Sequence, residues 1–310
     1  MSLNILVTGA NGQVGWHLQR TLAPLGAVTA LTRDEFNIGD LNAVSRTFKE
    51  FAPDIVVNAG AYTAVDSAEG DPPSARRVNA AAPGKMAAEL AQNNGLLIHY
   101  STDYVFDGTK SVGLSYEESE PTCPLNVYGQ SKVEGEQLIA ASGCPYIILR
   151  TSWVYDTRGK NFLRTVLRLA QERKELRMVA DQYGAPTWAR TIAEATAAIL
   201  ARNLEQSVQT GQWRTGLFHL TAAGKTSWAG FAEAILEDYE ALCGSVRDAG
   251  EFGMPLLAER VVPIPSEEYP TLALRPRNSG LSCEKIRRQF GISMPEWRGQ
   301  VRLAMQDAIR

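Results

Sequence analysis

The chain has few of the residues that build disulfide frameworks or metal clusters. Its four cysteines, among 310 residues, match no C-x-x-C pattern, which indicates unpaired thiols in a reducing compartment. Its three histidines stand far apart, at positions 17, 99 and 219. A zinc cluster or a catalytic histidine is therefore not expected, unless the fold brings distant residues together.

Long apolar runs and a strong excess of one charge are also absent. No apolar run approaches the roughly 20 residues of a membrane span, and the first strand pattern begins without a basic n-region or cleavage site. The net charge of -3 gives no reason to expect a polyanionic partner. We therefore expect a cytoplasmic protein that binds neither nucleic acid nor membrane. A monomer and a homodimer both remain open.

Short apolar runs alternate with helical patterns through the first half of the chain. The runs predict buried strands, and the segments between them predict helices over 41–51, 75–95 and 126–142. The predicted strands are "LNILVT", "AVTALT", "PDIVVNAGA", "LLIHYST" and "YIILRTS". This alternation is typical of an α/β fold with a doubly wound, parallel, Rossmann-type sheet and helices on both faces.

The pattern loosens in the second half. Further helices are predicted over 161–173, 189–203 and 227–243, and the Pro-rich tail over 261–280 is expected to be irregular. We expect residues 1–150 to form a dinucleotide-binding domain, with segments near 185–221 returning to it. Residues 151–310 should form mainly a smaller C-terminal substrate-binding lobe.

A glycine-rich turn, "GANGQVG", follows the first predicted strand and contains Gly9, Gly12 and Gly15. Glycines let the backbone approach a pyrophosphate closely, and the helix that follows offers free N–H groups at its positive end. A plain structural turn is the alternative. The position within a first βαβ unit favours dinucleotide binding.

The end of the second strand bears on the choice of cofactor. An acid there commonly binds the ribose 2′-hydroxyl, whereas an Arg accommodates a 2′-phosphate. This chain has Thr32 and Arg33, followed by Asp34, which favours NADPH over NADH. A surface Arg33 paired with Asp34 is the other interpretation. Asp40 either reaches the cofactor or only caps its helix.

The segment "NVYGQSK" places Tyr128 and Lys132 on one helix face. A free phenol has a pKa of about 10, and a neighbouring ammonium is expected to lower that pKa. Among ten tyrosines, only Tyr128 has a Lys four positions later. We interpret the pair as a proton donor and its partner; a half-buried Tyr beside a solvated Lys is the alternative.

The segment "HYSTDYVF" lies at the end of the fourth predicted strand, where open α/β sheets bind ligands. Thr102 is placed to hydrogen-bond a reacting oxygen, with Asp103 beside it. An ordinary turn and helix cap would have the same sequence. The glycine turn, this strand end and the Tyr–Lys helix follow one another in the order that a hydride-transfer site needs.

These motifs, "GxxGxxG", "YSTDYVF" and "YGQSK", resemble those of the extended branch of the short-chain dehydrogenase/reductase family. "RTSWVY", "DQYGAPT" and "RPRNSGL" resemble, within it, reductases of sugar nucleotides. The resemblance implies NAD(P)H-dependent reduction of the C4 ketone of a dTDP-linked sugar, yielding dTDP-L-rhamnose for polysaccharide synthesis.

The resemblance also implies roles for particular residues. Tyr128 would be the proton donor, Lys132 its partner and a cofactor ligand, and Thr102 a tuning group. Thr102, Asp103 and Trp153 would face the substrate. The residues that would line the cofactor are Gly12, Gln13, Val14, Asp40, Leu41, Ala61, Tyr62, Thr63 and Tyr100.

Some positions depart from the family's pattern. Certain members hold Mg²⁺ with acidic residues at a dimer interface, and the matching positions here are His17, Arg190 and Arg298. We therefore expect no metal.

A pyrophosphate-bearing substrate needs a local cation on a slightly acidic protein, so we predict that Arg275 and Arg277 of "RPRNSG" bind it. A solvated loop is the alternative there.

Two other functions stay open at this point. An epimerase or dehydratase of the same branch is one, although a dehydratase commonly has Asp-Glu after the Thr and this chain has Asp103 and Tyr104. The other is a non-catalytic regulatory subunit that binds dinucleotide. Retention of both Tyr128 and Lys132 argues against that second alternative.

Overall fold

A computed structural model describes residues 3–243 and 255–309. The strands are β1 (Asn4–Thr8), β2 (Ala27–Leu31), β3 (Ile55–Asn58), β4 (Leu96–Thr102), β5 (Tyr146–Thr151), β6 (Val154–Tyr155), β7 (Glu175–Val179), β8 (Tyr183–Gly184), β9 (Thr187–Trp188), β10 (Gly216–His219), β11 (Thr226–Ser227) and β12 (Arg260–Ile264). The α-helices are α1 (Gln13–Thr21), α2 (Leu41–Phe51), α3 (Val65–Gly70), α4 (Pro72–Arg76), α5 (Ala82–Ala91), α6 (Val127–Ala141), α7 (Phe162–Glu172), α8 (Ala189–Thr210), α9 (Trp228–Cys243), α10 (Glu284–Phe290) and α11 (Trp297–Ile309).

Six parallel strands form the central sheet, in the order β10-β5-β4-β3-β1-β2. Strands buried on both faces need continuous apolar runs, and β3 is buried along its whole length. Leu18 of α1 and Ile199 of α8 pack on one face, while Val44 of α2 and Met86 of α5 pack on the other. The doubly wound parallel sheet predicted from the sequence is confirmed.

The strand order creates a crevice at one edge of this sheet. The chain moves from β1 outward to β2 and then crosses back to β3 on the other side of β1. The connections leave β1 and β3 in opposite directions, so their carboxyl ends border an open space where ligands bind in such folds. The predicted site residues of the first half follow these strand ends.

The predicted single helix over 75–95 is wrong in detail. The structure has α4, then a π-helical turn at Arg77–Ala81, then α5. Pro83 has no N–H to donate to a preceding carbonyl, which disrupts regular α-helical bonding here. A side chain at Gly135 of α6 would lie 2.2 Å from the carbonyl oxygen of Asn79, so the two helices touch backbone to backbone at the irregular turn.

A second packed core lies outside the sheet and is formed by α7, α9, α11 and the parallel pair β7–β12. Phe231, Ile235, Val301 and Met305 are buried in it. The tail was expected to be irregular, but β12 is a strand because it pairs with β7. Helices α10 and α11 were not predicted, although the spacing of Val301, Ala304 and Met305 is helical.

The second half otherwise follows the sequence pattern. Helices α7 and α9 form near the predicted bounds, and α8 runs seven residues beyond the predicted end at 203. In the described part of the chain, Cys123, Cys144 and Cys283 are free thiols. No helix in the described ranges combines the length and apolar character needed to cross a bilayer.

Candidate active site

The turn after β1 is held by contacts that only glycine allows. Gly9 has φ +67°, and a Cβ there would lie 2.8 Å from the backbone nitrogen of Gly60. A Cβ on Gly15 would lie 2.1 Å from the carbonyl oxygen of Gly9. The loops that follow β1 and β3 therefore meet at backbone distance, and α1 begins directly against the turn.

The N-terminus of α1 fits an anionic ligand. Its N-cap, Gly12, provides no side-chain cap, whereas Asp40 and Asn126 cap α2 and α6 with their side chains. The first backbone N–H groups of α1 are left for another acceptor, at the positive end of the helix dipole. The buried Oε1 of Gln13 has no hydrogen-bond partner. The free N–H groups and the positive end of the dipole fit the diphosphate of a dinucleotide, whereas Gln13 Oε1, as an acceptor, needs a donor.

The end of β2 contains an acid that the sequence interpretation missed. Glu35 accepts hydrogen bonds from the backbone N–H and the hydroxyl of Thr32, at 2.9 and 2.8 Å. These bonds lower the pKa of Glu35. Arg33 is exposed, and within residues 3–243 and 255–309 it forms no ion pair with Asp34. The alternative of a paired surface Arg33 is therefore not what the structure shows.

Asp40 caps α2, as one of its two interpretations predicted. Its carboxylate accepts a hydrogen bond from the backbone N–H of Asn42 at 3.0 Å and contacts Arg46 at 3.3 Å. A hydrogen bond from the backbone N–H of Ala43 lowers the pKa of Asp40 most, and the bonds with Asn42 and Arg46 add to this lowering. Leu41, the next residue, is partly exposed at 37%. A cofactor role for both residues stays a prediction.

The loop after β3 is held by Asn79, a residue that the sequence interpretation did not use. Its side chain accepts from the backbone N–H of Tyr62 at 2.8 Å and donates to the carbonyl of Tyr62 at 3.0 Å. It also donates to Ser131 of α6 at 3.0 Å. Ala61 and Thr63, on either side of Tyr62, are exposed. The π-helical turn thus links this loop to the helix of Tyr128, and such turns are frequent at functional sites.

Helix α6 approaches the end of β4 closely. Asn126 caps it by accepting from the backbone N–H of Gly129 at 2.8 Å, and a Cβ on Gly129 would lie 2.2 Å from the carbonyl oxygen of Tyr104. The rings of Tyr104 and Tyr128 meet edge to face, with centroids 5.9 Å apart. The fold therefore brings Tyr128 to the strand end that carries Thr102, as the motif order predicted.

The electrostatics of Tyr128 differ from the expectation. Burial raises the pKa of its phenol to about 12; a hydrogen bond with Thr102 opposes this rise, and the nearby Asp103 adds to it. The predicted lowering by an ammonium at Lys132 is wrong for this arrangement. A pKa of about 12 keeps Tyr128 protonated at neutral pH.

Lys132 points toward the sheet and is 1% exposed. Its Nζ donates to the carbonyl of Tyr100 at 2.6 Å and lies 3.1 Å from Nε2 of His99. Burial lowers the pKa of Lys132 to about 8, with Glu136 opposing that shift. The solvated lysine offered as an alternative is therefore excluded. His99 belongs to the site, although no histidine was expected there.

The strand-end acid, Asp103, is 3% exposed. Its Oδ1 accepts from the hydroxyl of Thr102 at 2.9 Å, and its Oδ2 has no partner. Burial raises the pKa of Asp103 to about 6, against hydrogen bonds that lower it, the largest of them from Ser279. Thr102 thus lies between the phenol of Tyr128 and a carboxylate.

Tyr100 contributes to the site through its backbone. Its hydroxyl hydrogen-bonds the hydroxyl of Thr196 on α8 at 2.7 Å, and burial raises the pKa of the phenol. Its ring packs with the α1 and α8 core, on the sheet face opposite Lys132. Its carbonyl meets Lys132 directly. Whether Tyr100 also lines a cofactor stays a prediction.

Trp153 follows β5 and has φ +47°, which is uncommon for a bulky residue and typical of functional sites when it occurs. Its indole stacks on Trp228 with centroids 3.5 Å apart and an angle of 4° between the planes. A Cβ on Gly184 would lie 2.4 Å from that indole, so only glycine fits there. One face of Trp153 is therefore already covered by protein.

The two arginines predicted to bind phosphate lie in different surroundings. Arg275 donates to both carboxylate oxygens of Asp66, at 2.7 and 3.2 Å, and its side chain is 20% exposed. It lies near Tyr104 and hence at the rim of the site. Arg277 is 70% exposed and pairs with Glu267 at 3.3 Å. Neither arginine is free of a carboxylate.

The residues at the positions matched to a family metal site each contact a carboxylate. His17 lies 3.0 Å from the buried Asp156. Arg190 contacts Glu194 and Asp307, and Arg298 contacts Glu237 and Asp238. Within the described ranges, no group of three or more His, Cys, Asp or Glu side chains is arranged to hold a metal.

Comparisons of sequence identify relatives over the whole chain. The model of the family described as RmlD substrate binding domain matches residues 3–309. A dTDP-4-dehydrorhamnose reductase of Burkholderia thailandensis is 50% identical over 307 residues, covering 99% of each chain. The dTDP-4-dehydrorhamnose reductase of Escherichia coli is 39% identical over 309 residues and covers 98% of each.

A comparison of structures agrees with these matches. A crystal structure of dTDP-4-dehydrorhamnose reductase from Bacillus anthracis, in complex with NADP, superimposes with a TM-score of 0.83. The two chains are 30% identical, and the match covers 99% of this chain and 100% of that one.

Proposed function

Because the chain belongs to the RmlD substrate binding domain family, we propose that it is an NADPH-dependent reductase of dTDP-4-dehydro-L-rhamnose. The reaction converts the C4 ketone of this sugar nucleotide to the hydroxyl of dTDP-L-rhamnose, a precursor of polysaccharides. The relatives that carry this activity in their names match along the whole chain. The observation that carries the proposal is the contact of Tyr128 with Thr102, with the buried Lys132 one turn later on α6, at the same edge of the sheet as the uncapped N-terminus of α1.

Tyr128 is the proton donor in this proposal. A bound nicotinamide supplies the hydride, and the carbonyl oxygen that gains negative charge needs a proton. With a pKa raised to about 12, the Tyr128 phenol holds its proton at neutral pH and gives it up to a strongly basic alkoxide. A phenol that is protonated before the reaction can donate a proton to the carbonyl oxygen, so Tyr128 suits reduction rather than oxidation.

Thr102 and Lys132 assist Tyr128. The hydroxyl of Thr102 can donate to the reacting oxygen once it leaves Asp103, and its contact with the phenol lowers the pKa of Tyr128. Lys132 is held by the carbonyl of Tyr100 and serves as a cofactor ligand. These groups act by position and by electrostatic stabilisation of developing charge.

The cofactor is held by the sheet side of the site. Residues 1–150, with segments near 185–221, form the dinucleotide-binding part of the chain, and residues 151–310 contribute mainly the substrate-binding part. The proposed cofactor residues are Gly9, Gly12, Gln13, Val14, Gly15, Thr32, Arg33, Asp40, Leu41, Ala61, Tyr62, Thr63, Tyr100, Tyr128 and Lys132.

The substrate binds on the other side of the site, to which residues 151–310 mainly contribute. Asp103 and Trp153 contact the sugar, and Arg275 and Arg277 meet the pyrophosphate, where a planar guanidinium gives two hydrogen bonds at once. Arg275 has the better position, because it lies at the rim near Tyr104. The enzyme works in the cytoplasm as a monomer or homodimer.

The test is a coupled measurement of NADPH oxidation with dTDP-4-dehydro-L-rhamnose. Wild-type protein should consume NADPH only when the keto sugar is present and should yield dTDP-L-rhamnose. The same sugar on a different nucleotide serves as the control for the base. Absence of turnover with a folded protein that binds NADPH would favour the regulatory-subunit alternative.

A further inference from the structure

The indole of Trp153 is covered by protein on both of its faces. One face stacks on Trp228, with ring centroids 3.5 Å apart and planes 4° apart. A Cβ on Gly184 would lie 2.4, 2.5 and 2.9 Å from Cε2, Nε1 and Cδ2 of Trp153, which places it above the ring rather than beside it. The face against Trp228 has no room for that atom, so Gly184 covers the opposite face. Among the described residues, these two therefore leave only the edge of the indole open.

We call Gly184 and Trp228 the tryptophan clamp, and backbone pairing holds its two sides together. Gly184 ends β8, and Trp228 directly follows β11. The two strands pair antiparallel, with Gly184 opposite Thr226. The backbone N–H of Tyr183 donates to the carbonyl of Arg277 at 2.8 Å, so the Pro-rich tail borders the same pair. The spacing of the two sides is therefore set by strand pairing.

The ring of Trp228 is fixed by a chain of polar contacts. Its Nε1–H donates to Oε1 of Gln182 at 3.2 Å, and Nε2 of Gln182 donates to the hydroxyl of Ser266 at 3.0 Å. That hydroxyl donates in turn to Asp181 at 2.6 Å. Because an indole N–H can only donate, the Gln182 amide has one orientation that satisfies both neighbours. Phe162 also packs on Trp228, with ring centroids 4.6 Å apart, so the clamp is formed before any ligand binds.

The backbone of Trp153 has an uncommon conformation. Its φ of +47° is rare for a bulky residue and persists only where the surrounding structure imposes it. The carbonyl of Trp153 accepts from the backbone N–H of Thr187 at 3.2 Å, while the clamp holds the ring. Trp153 comes two residues after Thr151, whose register partner on β4 is Thr102. The constrained indole therefore lies at the end of the sheet that carries Thr102.

The open edge of this indole carries a free donor. In the part of the chain that the structure describes, Nε1 of Trp153 has no hydrogen-bond partner. By contrast, Nε1 of Trp188 donates to Asp156 at 3.2 Å, and Nε1 of Trp213 donates to the carbonyl of Asn94 at 3.1 Å. An indole N–H only donates, so its partner must be an acceptor such as a hydroxyl or ketone oxygen of a sugar.

We propose that Gly184 and Trp228 are positioning residues that present Trp153 edge-on, so that Trp153 binds a sugar oxygen through its Nε1–H and does not stack on the sugar. Stacking would require the sugar to displace Trp228 or the backbone of Gly184. The role of Trp153 as a sugar ligand rests on the proposed function, whereas the clamp itself does not. Gln182 and Gly184 both belong to the motif "DQYGAPT", which thereby gains a role in holding the substrate.

Circular dichroism tests the clamp without any activity. Two stacked indoles couple and give paired bands of opposite sign, so Trp228→Phe should abolish these bands and Trp213→Phe should keep them. We expect the wild-type bands to persist when dTDP-L-rhamnose and NADP⁺ are bound. Loss of the bands on binding would mean that the indole leaves the clamp to stack on the sugar. That result, or absence of the bands in ligand-free protein, overturns the proposal.

Nitrogen-15 NMR follows the donor itself. The six tryptophans give six indole N–H signals, which single Trp→Phe variants assign. The Trp153 signal should shift downfield when dTDP-L-rhamnose binds, because its N–H gains an acceptor. The signals of Trp188 and Trp213, already bonded within the protein, should stay. An unmoved Trp153 signal at saturation contradicts the contact. A chain that shows the clamp but binds no dTDP-sugar would contradict the proposed function, and the sugar contact with it.

Kinetics with clamp variants measure its effect on the substrate. Trp228→Ala removes the stacked ring and Gly184→Ala inserts a methyl group against the indole, so each should raise KM for the dTDP-sugar by about five- to tenfold. The Kd of NADPH should not change. Trp228→Phe keeps a flat ring and should restore most of the lost affinity.

Gly299→Ala is the matched control for the added methyl group, since a Cβ at Gly299 would meet no atom within 4 Å. It should leave KM unchanged. If Trp228→Ala and Gly184→Ala fold and bind the dTDP-sugar like the wild type, the clamp does not position Trp153 for the substrate. If neither variant folds, the wild-type bands and the wild-type Trp153 signal still decide.

Discussion

The two sides of the site are built differently. On the sheet side, Lys132 and His99 are fully buried and are held by hydrogen bonds from β1, β3 and β4. On the substrate side, Arg275 and Arg277 keep partial or high exposure and are held by single carboxylate partners. Trp153 rests on another indole, Trp228.

This difference has a physical meaning. Buried polar groups with complete hydrogen bonding cannot change partners cheaply, because any unsatisfied atom costs the full desolvation penalty. Exposed ion pairs contribute little and can be replaced. The sheet side is therefore organised before ligands bind, whereas the ion pairs of Arg275 with Asp66 and of Arg277 with Glu267 are the contacts that the proposed pyrophosphate would replace.

The largest effect is expected at the sheet side, from Tyr128→Phe. Loss of the phenol removes the proton donor while keeping the ring, so turnover should fall by about 10²–10⁴-fold. NADPH binding, measured by fluorescence titration, should persist. Tyr146→Phe, at the opposite edge of the sheet, is the control and should keep its activity. Near-wild-type turnover in Tyr128→Phe would exclude it as the acid.

The next largest effect is expected on stability, from breaking the buried ion pair between Glu136 and Arg150. Glu136 and Arg150 have side chains only 7% and 4% exposed. Glu136→Gln leaves Arg150 uncompensated and should lower the free energy of unfolding by about 3–5 kcal/mol. Glu172→Gln, which removes an exposed partner of Arg168, should cost less than about 1 kcal/mol. Urea unfolding measures both, and equal losses would remove the contrast between buried and exposed pairs.

A smaller effect is expected on the substrate side. Arg275→Ala should raise KM for the dTDP-sugar roughly tenfold or more, as for about 1.5–3 kcal/mol from a charged hydrogen bond. Arg277→Ala, at the more exposed position, should raise it less. NADPH affinity should change in neither variant. If both bind substrate normally, the pyrophosphate lies elsewhere.

The smallest effect concerns the cofactor's ribose end. Arg33 is exposed, so Arg33→Ala should lower kcat/KM for NADPH by only about two- to fivefold, corresponding to less than about 1 kcal/mol. kcat/KM for NADH should not fall. Arg168→Ala controls for the loss of a surface charge. Equal losses with both cofactors would show that Arg33 does not contact the 2′-phosphate.

Much of the fold was predictable because it depends on local signals. The apolar runs of β1 and β3 and the capping of α6 by Asn126 each depend on residues within a few positions along the chain. The errors came where partners are distant or backbone bonding is irregular. Strand β12 exists because β7 pairs with it, and the predicted helix over 75–95 is interrupted where Asn79 meets Gly135.

The same division applies to the site. The sequence by itself determined that Tyr128 and Lys132 share a helix face and that Thr102 ends a strand, since helical spacing and strand ends are local properties. Only the tertiary structure decided the state of these groups. The contacts of Thr8, Asn58, His99 and Lys132 span 50, 41 and 33 residues of sequence. Burial and these distant partners, rather than the spacing of Tyr128 and Lys132, determine the pKa of each group.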